Sequence, residues 1–438
     1  MSDYIYMLES HLSADQNRVV AQVQEAAELH NVNLFLTGGA MRDMLAGFRI
    51  RDLDFVVEGR ALKVAKELAE RGAKIVSEDE HRKCAELEFP GGVTAEIAMA
   101  RQEKYGRPGA RTQVTQATIQ EDLRGRDFTC NAIALSLNRS SRGLLLDPMN
   151  GLADIERREL RAINTYGFYD DPSRLLRLER LRVRFSFGVE ERTQMQVSNA
   201  REAEVQKGIP PRVLGEELKK IAAEDSPAEI IKALEAAGLL DLFSPVLTGP
   251  KSNAVGLARL EKMARLMADD VRTRGARLGP FLYALAEKLN PKEKQALIKG
   301  TSLTKADVDQ WQKLETRAKK LEAALKSARI RKASHVYHIV AGARPDEVLF
   351  LLYHSTVKPV QERLKNYFQK YVPLVQEITP EEWAAVPGKP GTPKYEKARA
   401  DFLTYRLDRR PPKKPEPPPE PPPVPEPTTM MRRGGGGR

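Results

Sequence analysis

The spacing of apolar residues divides the chain into two textures. Over about the first thirty residues Val19, Val20, Val23, Ala26 and Ala27 recur at helical spacing, which predicts one amphipathic helix. An apolar run at 33–37 then closes on Gly38-Gly39, and residues 40–46 resume a helical pattern that stops at Gly47. Residues 52–57 (DLDFVV) read as a strand, and a helix is predicted from about Arg60 to Arg71. Runs at 84–89 and 93–100 flank Pro90-Gly91-Gly92 and predict a hairpin. From about Asp154 the pattern becomes helical throughout, as in Leu175, Leu176, Leu178 and Leu181, or Ile230, Ile231, Leu234 and Ala237. The expectation is an α/β head followed by an all-helical remainder without a fixed-period repeat.

Charge sharpens this division. The net +11 of the 438 residues is unevenly spread: 1–150 sum to −3, 151–250 to −2, 251–410 to +14 and 411–438 to +2. A polyanionic partner is therefore expected on the C-terminal helices. Cys84 and Cys130, the two cysteines, exclude a disulfide scaffold or a cysteine-rich zinc module and fit a reducing, cytoplasmic setting. No apolar run reaches the ~18–20 residues of a membrane span, so no membrane partner is expected. Eleven of the 29 prolines lie in 411–427. Residues 411–438 read as a disordered proline-rich tail, either plainly solvated or a ligand for a proline-reading protein partner.

The candidate chemistry sits in the head. On a strand, Asp52 and Asp54 point to the same side. Two adjacent carboxylates repel unless a cation lies between them, and hard oxygen donors suit Mg²⁺. Gly38-Gly39 before a helix would let backbone N–H groups meet a phosphate. Glu96, between apolar residues on a predicted strand, is a third candidate carboxylate. Together these suggest two-metal phosphoryl transfer from a nucleoside triphosphate; separately, each has a plain reading as a strand edge or a turn.

LTGGAMRDMLAGFRIRDLDFVV (36–57) resembles the first signature of class II tRNA nucleotidyltransferases and their relatives, the bacterial poly(A) polymerases. EDLRGRDFTCNAIA (121–134), DPMNGLADIERRELRAI (147–163), DDPSRLLR (170–177) and PRVLGEELKKI (211–221) are similar to the later motifs, in the same order. The resemblance implies an α+β chain: a polymerase-beta-type nucleotidyltransferase α/β head (1–150), a helical neck with a nucleotide-recognition motif (151–245), and a basic helical body and tail (246–410) that binds RNA.

By that resemblance Asp52 and Asp54 bind the metals, with Glu96 beside the primer 3′-hydroxyl. Gly38, Gly39, Arg42, Asp43, Arg124, Arg126, Asp127, Asn131 and Arg177 belong to the nucleotide site. Arg42 would reach the triphosphate, with Asp43 orienting it; the alternative is a helix-surface ion pair of little worth. Asp127 and Asn131 would surround the ribose, and Arg124 and Arg126 would offer charge to the phosphates. Gly125 stands where the family has an arginine, and Asp170 where it has Glu. Asp171 would accept from the exocyclic amine of C or A while Arg174 donates to the neighbouring ring acceptor, so the protein replaces a template; the plainer role of Asp171 is to cap a helix. The polar stretch between Arg101 and Glu121 corresponds to a family loop that helps switch from C to A addition. Lys313, Arg317, Lys319, Lys320, Arg329 and Arg331 crowd one helical stretch and are candidates for the RNA backbone, or else a solvated face. The implied reaction is addition of CMP and AMP from CTP and ATP to a tRNA 3′ end, with Mg²⁺ as cofactor. Poly(A) synthesis, CC-only or A-only addition, and a catalytically inactive RNA-binding module are the alternatives.

Overall fold

Ser13 interrupts the single N-terminal helix expected from the spacing. Its hydroxyl accepts the N–H of Gln16 while the Gln16 carboxamide accepts the N–H of Ser13, and this capping box separates α1 (Asp3–His11) from α2 (Ala14–Leu29). The computed structural model describes residues 3–104, 113–267 and 277–409. The predicted proline-rich tail, 411–438, lies outside the described residues.

The head continues through β1 (Asn33–Thr37), α3 (Gly38–Leu45), β2 (Leu53–Glu58), α4 (Ala61–Glu70), β3 (Lys74–Asp79), β4 (Cys84–Glu88) and β5 (Thr94–Met99). A separate ribbon of β6 (Arg101–Lys104) and β7 (Gln113–Gln116) follows, then α5 (Ile119–Arg124), β8 (Ala134–Ser136) and β9 (Leu145–Leu146). One sheet has the order β3-β4-β5-β2-β1-β8-β9. Its β2–β5 pair is parallel and the other neighbouring pairs are antiparallel. The predicted β4–β5 hairpin is present, whereas β3 escaped prediction because it is an almost wholly exposed edge strand with no apolar alternation.

Period-two alternation decides where the carboxylates emerge. Leu34, Leu36, Phe55, Val57 and Ile97 enter the large core with Val23, Val64 and Leu68 of the covering helices. Phe35, Val56 and Ala98 point the other way, onto Ile119, Leu123 and Ala132. Asp54 shares the parity of Val56, and Glu96 that of Ala98, so both fall on this second face, and Asp52 immediately precedes β2.

The chain then becomes predominantly helical: α6 (Gly151–Arg157), α7 (Gly167–Asp170), α8 (Arg174–Phe185), α9 (Glu191–Glu202), α10 (Pro211–Ala223) and α11 (Pro227–Ala236). The expectation of helices alone needs one correction. Short strands β10 (Glu159–Leu160) and β11 (Gly188–Val189) pair in parallel, flanking α7 and α8. Beyond them lie α12 (Ala254–Ala264), α13 (Leu278–Leu285), α14 (Pro291–Gly300), α15 (Lys305–Gln312), α16 (Leu314–Lys326), α17 (Ala333–Ala341), α18 (Pro345–His354) and α19 (Lys358–Asn366). The large core runs unbroken from the head sheet into α13, and a second core forms between α16 and α19 around Leu314, Val336, Phe350 and Leu364. No helix among the described residues is long and apolar enough to cross a membrane.

Candidate active site

Helix α3 begins at Gly38, two residues earlier than its apolar pattern suggested. Gly38 has φ +62°, and a Cβ there would meet Arg126 Nη1 at 3.0 Å and Asp54 Oδ2 at 3.2 Å. The Gly39 N–H donates to Asp54 Oδ2 at 2.8 Å. The two glycines thus let a carboxylate and a guanidinium close onto the start of α3.

Asp54 and Glu96 are register partners across β2 and β5, and Glu86 of β4 is the partner of Glu96 on its other side. Asp52 is anchored by Thr94, whose hydroxyl donates to Oδ1 at 2.8 Å. Burial, then the charges of Glu96 and Asp52, push the Asp54 carboxyl up to about 7, against the pull of Arg126. A buried Asp54 carboxyl that resists ionisation beside two further carboxylates fits a divalent cation, which would remove the repulsion. Among the described residues no cluster of three or more His, Cys, Asp or Glu forms a ready-made cage. Mg²⁺ is commonly held by one or two carboxylates together with water and substrate phosphates.

Arg42 and Asp43 are not a surface pair: they are only 7% and 2% exposed. Asp43 Oδ1 accepts both Arg42 Nε at 3.1 Å and Nη2 at 2.9 Å, so the fork of Arg42 is held from one side. On the other, Arg42 Nη1 donates to Asn131 Oδ1, and Asn131 Nδ2 donates to Asp127 Oδ1 at 2.8 Å. Asp127 Oδ2 accepts Arg177 Nη1 at 2.6 Å. Burial alone would raise the Asp127 carboxyl; Arg177 and Arg174 outweigh it and hold that group far below the usual carboxylate range. One buried relay therefore joins α3, the turn Thr129–Asn131 and α8.

The third motif supplies the support for that turn, a role the sequence reading did not assign. Asp147 accepts the N–H groups of Gly151 at 2.7 Å and Leu152 at 2.8 Å, capping α6. A Cβ on Gly151 would lie 2.1 Å from the Thr129 carbonyl oxygen, so only glycine lets α6 approach. Asp154 then accepts from Thr129 Oγ1 at 2.6 Å and Arg161 Nε at 2.8 Å.

Asp171 does not cap α8 directly, since the helix begins at Arg174 with Ser173 at its N-cap. Asp171 Oδ1 takes the Ser173 N–H at 3.1 Å and its hydroxyl at 2.5 Å. Oδ2 faces Arg174 Nε at 3.8 Å. That Nε is buried and has no hydrogen-bond partner. A cleft of about 870 Å³ opens onto Asp52, Asp54, Glu96, Arg42, Asp171 and Arg174 together. Gly38, Gly39, Asp43, Arg126, Asp127, Asn131 and Arg177 line it as well.

Arg126 is fixed by Asp122 Oδ1 at 2.9 Å and Thr37 Oγ1 at 3.2 Å. Arg124, by contrast, stands exposed in the last turn of α5 and does not line this cleft. Gly125 has an ordinary helical backbone with only loose contacts, and nothing in the fold requires glycine there. The stretch between Arg101 and Glu121 holds the β6–β7 ribbon rather than a plain loop; its tip, 105–112, lies outside the described residues.

The basic C-terminal set is not one helical face. Arg317 turns inward, donating to Asp346 Oδ2 at 2.7 Å. Lys313 pairs with Asp309 at 2.8 Å, and Lys319 lies 3.9 Å from Glu315. Lys320 is exposed on α16, whereas Arg329 and Arg331 project from the connection between α16 and α17. Arg363 of α19 pins that connection through the carbonyls of Leu325, Ser327 and Ile330. Sequence reading gave no role to Arg51, Arg184 or Glu224, which are joined only in the fold.

A sheet that lines up carboxylates beneath a glycine-opened helix, facing an arginine-rich wall, is the architecture of a nucleotidyltransferase head. Residues 34–161 match the family model for the poly A polymerase head domain. The A-adding tRNA nucleotidyltransferase of Aquifex aeolicus (strain VF5) is 29% identical over 340 residues, covering 77% of this chain and 40% of that protein. A solved CCA-adding enzyme, apo form II, aligns with TM-score 0.54 and 27% identity over 93% of this chain and 95% of its own. The Thermotoga maritima CCA-adding enzyme complexed with tRNA aligns with TM-score 0.50 and 25% identity, over 93% and 94% of the two chains. The domain, sequence and fold comparisons all point to the CCA-adding and poly(A) polymerase nucleotidyltransferase family. Matching relatives include proteins named A-adding, CC-adding and multifunctional CCA. The chain spans between 40% and 62% of the length of the A-adding relatives it matches.

Proposed function

We propose that this protein is a tRNA nucleotidyltransferase that adds CMP and AMP, from CTP and ATP, to the tRNA 3′ end without a nucleic-acid template. The observation that carries the reading is the single cleft shared by the carboxylate row, Arg42 and the Asp171–Arg174 pair. On this reading, groups suited to a metal, a triphosphate and a base would lie within reach of one nucleotide.

Asp52 and Asp54 would hold Mg²⁺, with Glu96 beside them; the ions, when bound, lower the pKa of the attacking hydroxyl and neutralise charge on the phosphates. Arg42, held from both sides by Asp43 and Asn131, is presented to the triphosphate with its geometry already set. Arg126 adds charge at the start of α3, where its Nη1 lies near Gly38. Asp127 is spoken for by Arg177 and Asn131, so it acts on the ribose through Asn131 and the shape of the wall rather than as a loose carboxylate.

Base choice rests on Arg174 and Asp171. The unpartnered Arg174 Nε and the Asp171 carboxylate offer a donor and an acceptor side by side. C and A present an acceptor and an amine to match. Uracil and guanine present a carbonyl and an N–H, which would leave buried groups unpaired at a cost of about 1–3 kcal/mol each. The RNA partner would lie along the basic surface of Lys320, Arg329 and Arg331, where phosphate contacts need no sequence.

A-only addition is a second reading, favoured by the A-adding relatives. The test is to offer the protein tRNA lacking CCA, tRNA ending in C, tRNA ending in CC and an unrelated RNA, each with one labelled nucleoside triphosphate and Mg²⁺. Stepwise C, C and A supports the first reading, A on CC ends alone supports the second, and long A tracts on any RNA would refute both.

A further inference from the structure

Three guanidinium groups converge on Glu224, the residue that ends α10 and is 4% exposed. Arg51, the neighbour of Asp52 in the chain, donates Nη1 to Glu224 Oε2 at 2.6 Å and Nη2 to Asp225 Oδ2 at 2.6 Å. From α8, Arg180 Nη1 donates to Oε1 at 3.1 Å, and Arg184 Nη1 stands 3.7 Å from the same oxygen. Arg184 also donates Nη2 to Asp43 Oδ2, and Asp43 holds Arg42.

Glu224 itself lies at the cleft wall, and two routes run from it to the groups proposed for the chemistry. One passes through Arg51 to the chain segment that presents Asp52. The other passes through Arg184 and Asp43 to Arg42. Helix α8 connects both to base choice, because Arg174 lies ten residues before Arg184, about 15 Å along the helix. Glu224 touches neither the carboxylate row nor the Asp171–Arg174 pair, yet it sits where their supports meet.

The charges explain why an anion is needed there. Burial, together with Arg42 and Arg51, pulls the Arg184 guanidinium down to about 10, against Asp43 and Glu224. Burial alone would raise the Glu224 carboxyl, and Arg184, Arg51 and Arg180 instead hold it below the ordinary value. Without Glu224 these cations would face one another across the head–neck seam, with Arg51 keeping only Asp225.

We propose that Glu224 is a positioning residue that fixes helix α8 to the Asp52 segment, so that a nucleotide read at Arg174 meets the carboxylate row at a set distance. The inference rests on the function proposed above and adds to it a group outside the family motifs. Loss of Glu224 loosens the reacting geometry while the base pocket, held by its own contacts at the far end of α8, is retained.

The test compares wild type, Arg51→Gln, Glu224→Gln and the double variant in single-turnover addition of labelled CMP or AMP to tRNA. Each single variant is expected to lower the rate at saturating nucleotide by about tenfold to a hundredfold, as for a small displacement of reacting groups, with KM changed by less than about threefold. The double variant should fall no further than the weaker single, preference over UTP should persist, and Glu224→Asp should recover part of the rate. Arg51→Lys, which keeps charge and loses the fork, serves where a neutral variant does not fold, and should show an intermediate rate. Rates within about twofold of wild type, or losses that multiply in the double variant, would overturn the proposal. Should wild type add no nucleotide to any RNA, the functional reading itself fails, and thermal unfolding of the same four proteins decides the linkage. Non-additive losses of Tm support it, and additive losses overturn it.

Discussion

The Gly39 N–H and Asp54 Oδ2 are bonded at 2.8 Å, and a methyl group on residue 39 would stand 2.9 Å from that oxygen. Gly39→Ala is therefore expected to push Asp54 out of line with Asp52. Nucleotide addition should fall by about a hundredfold, the scale set by an ångström of misplacement, with circular dichroism unchanged. Gly208→Ala, where nothing lies within 4 Å, should behave as wild type. Equal activity of the two variants would contradict this role for Gly39.

Arg174→Ala removes the donor that faces Asp171. Its expected effect is on choice rather than on rate alone. Discrimination of CTP and ATP against UTP and GTP should drop by about a hundredfold or more, since a site built to hydrogen-bond its ligand loses its means of rejection. Misincorporation assays with each triphosphate measure this. Unchanged discrimination would reduce Asp171 to its contact with Ser173.

Glu217 provides a pH-dependent stability test. Burial alone would raise its carboxyl; Arg180, Lys220 and Arg177 instead hold it down at about 2. A depressed acid stabilises the fold fully above its unfolded value of ~4.3 and loses that contribution as pH falls toward the folded value. Glu217→Gln, which leaves Arg180 with Glu224 as its remaining carboxylate, should cost about 1–3 kcal/mol at pH 7. The difference from wild type in urea unfolding should stay constant above about pH 4.3 and narrow as pH falls from there toward about 2. A difference that stays constant throughout would contradict the pairing.

The basic surface separates into two predicted behaviours. Neutralising Lys320, Arg329 and Arg331 should weaken tRNA binding and flatten its salt dependence, the log–log slope falling by about 0.9 for each phosphate that is no longer neutralised. Arg317→Ala should leave that slope unchanged and lower Tm, because it strips the buried Asp346 of its 2.7 Å partner. Filter binding across a salt series, beside thermal unfolding, distinguishes the two.

Much of the head was legible because its strands alternate cleanly: parity put Asp52 and Asp54 on one side, while Glu96, named only as a third candidate carboxylate, is brought beside Asp54 by the β2–β5 register. The division of the first helix was not, since Ser13 and Gln16 act through a local hydrogen-bonded exchange that apolar spacing does not register. Edge strand β3 was invisible for lack of buried positions. In the candidate site the motifs named Arg42, Asp127 and Arg177, but their order in one relay depends on contacts between residues 42 and 131 and between 127 and 177. Arg317 looked like its neighbours in a basic run, and only the packing of α18 against α16 shows that it points inward. Glu224 lies three residues beyond the last motif, and its importance comes wholly from partners distant in sequence.

Asp52→Ala offers the most direct test that the carboxylate row performs nucleotidyl transfer to tRNA. Wild type and variant should be compared with Mg²⁺, tRNA ending in CC, and labelled ATP, alongside tRNA binding measured on the same preparations. The expected result is addition by wild type and none by the variant, with tRNA affinity within about twofold, since no basic side chain is removed. Full incorporation by Asp52→Ala would contradict the assignment.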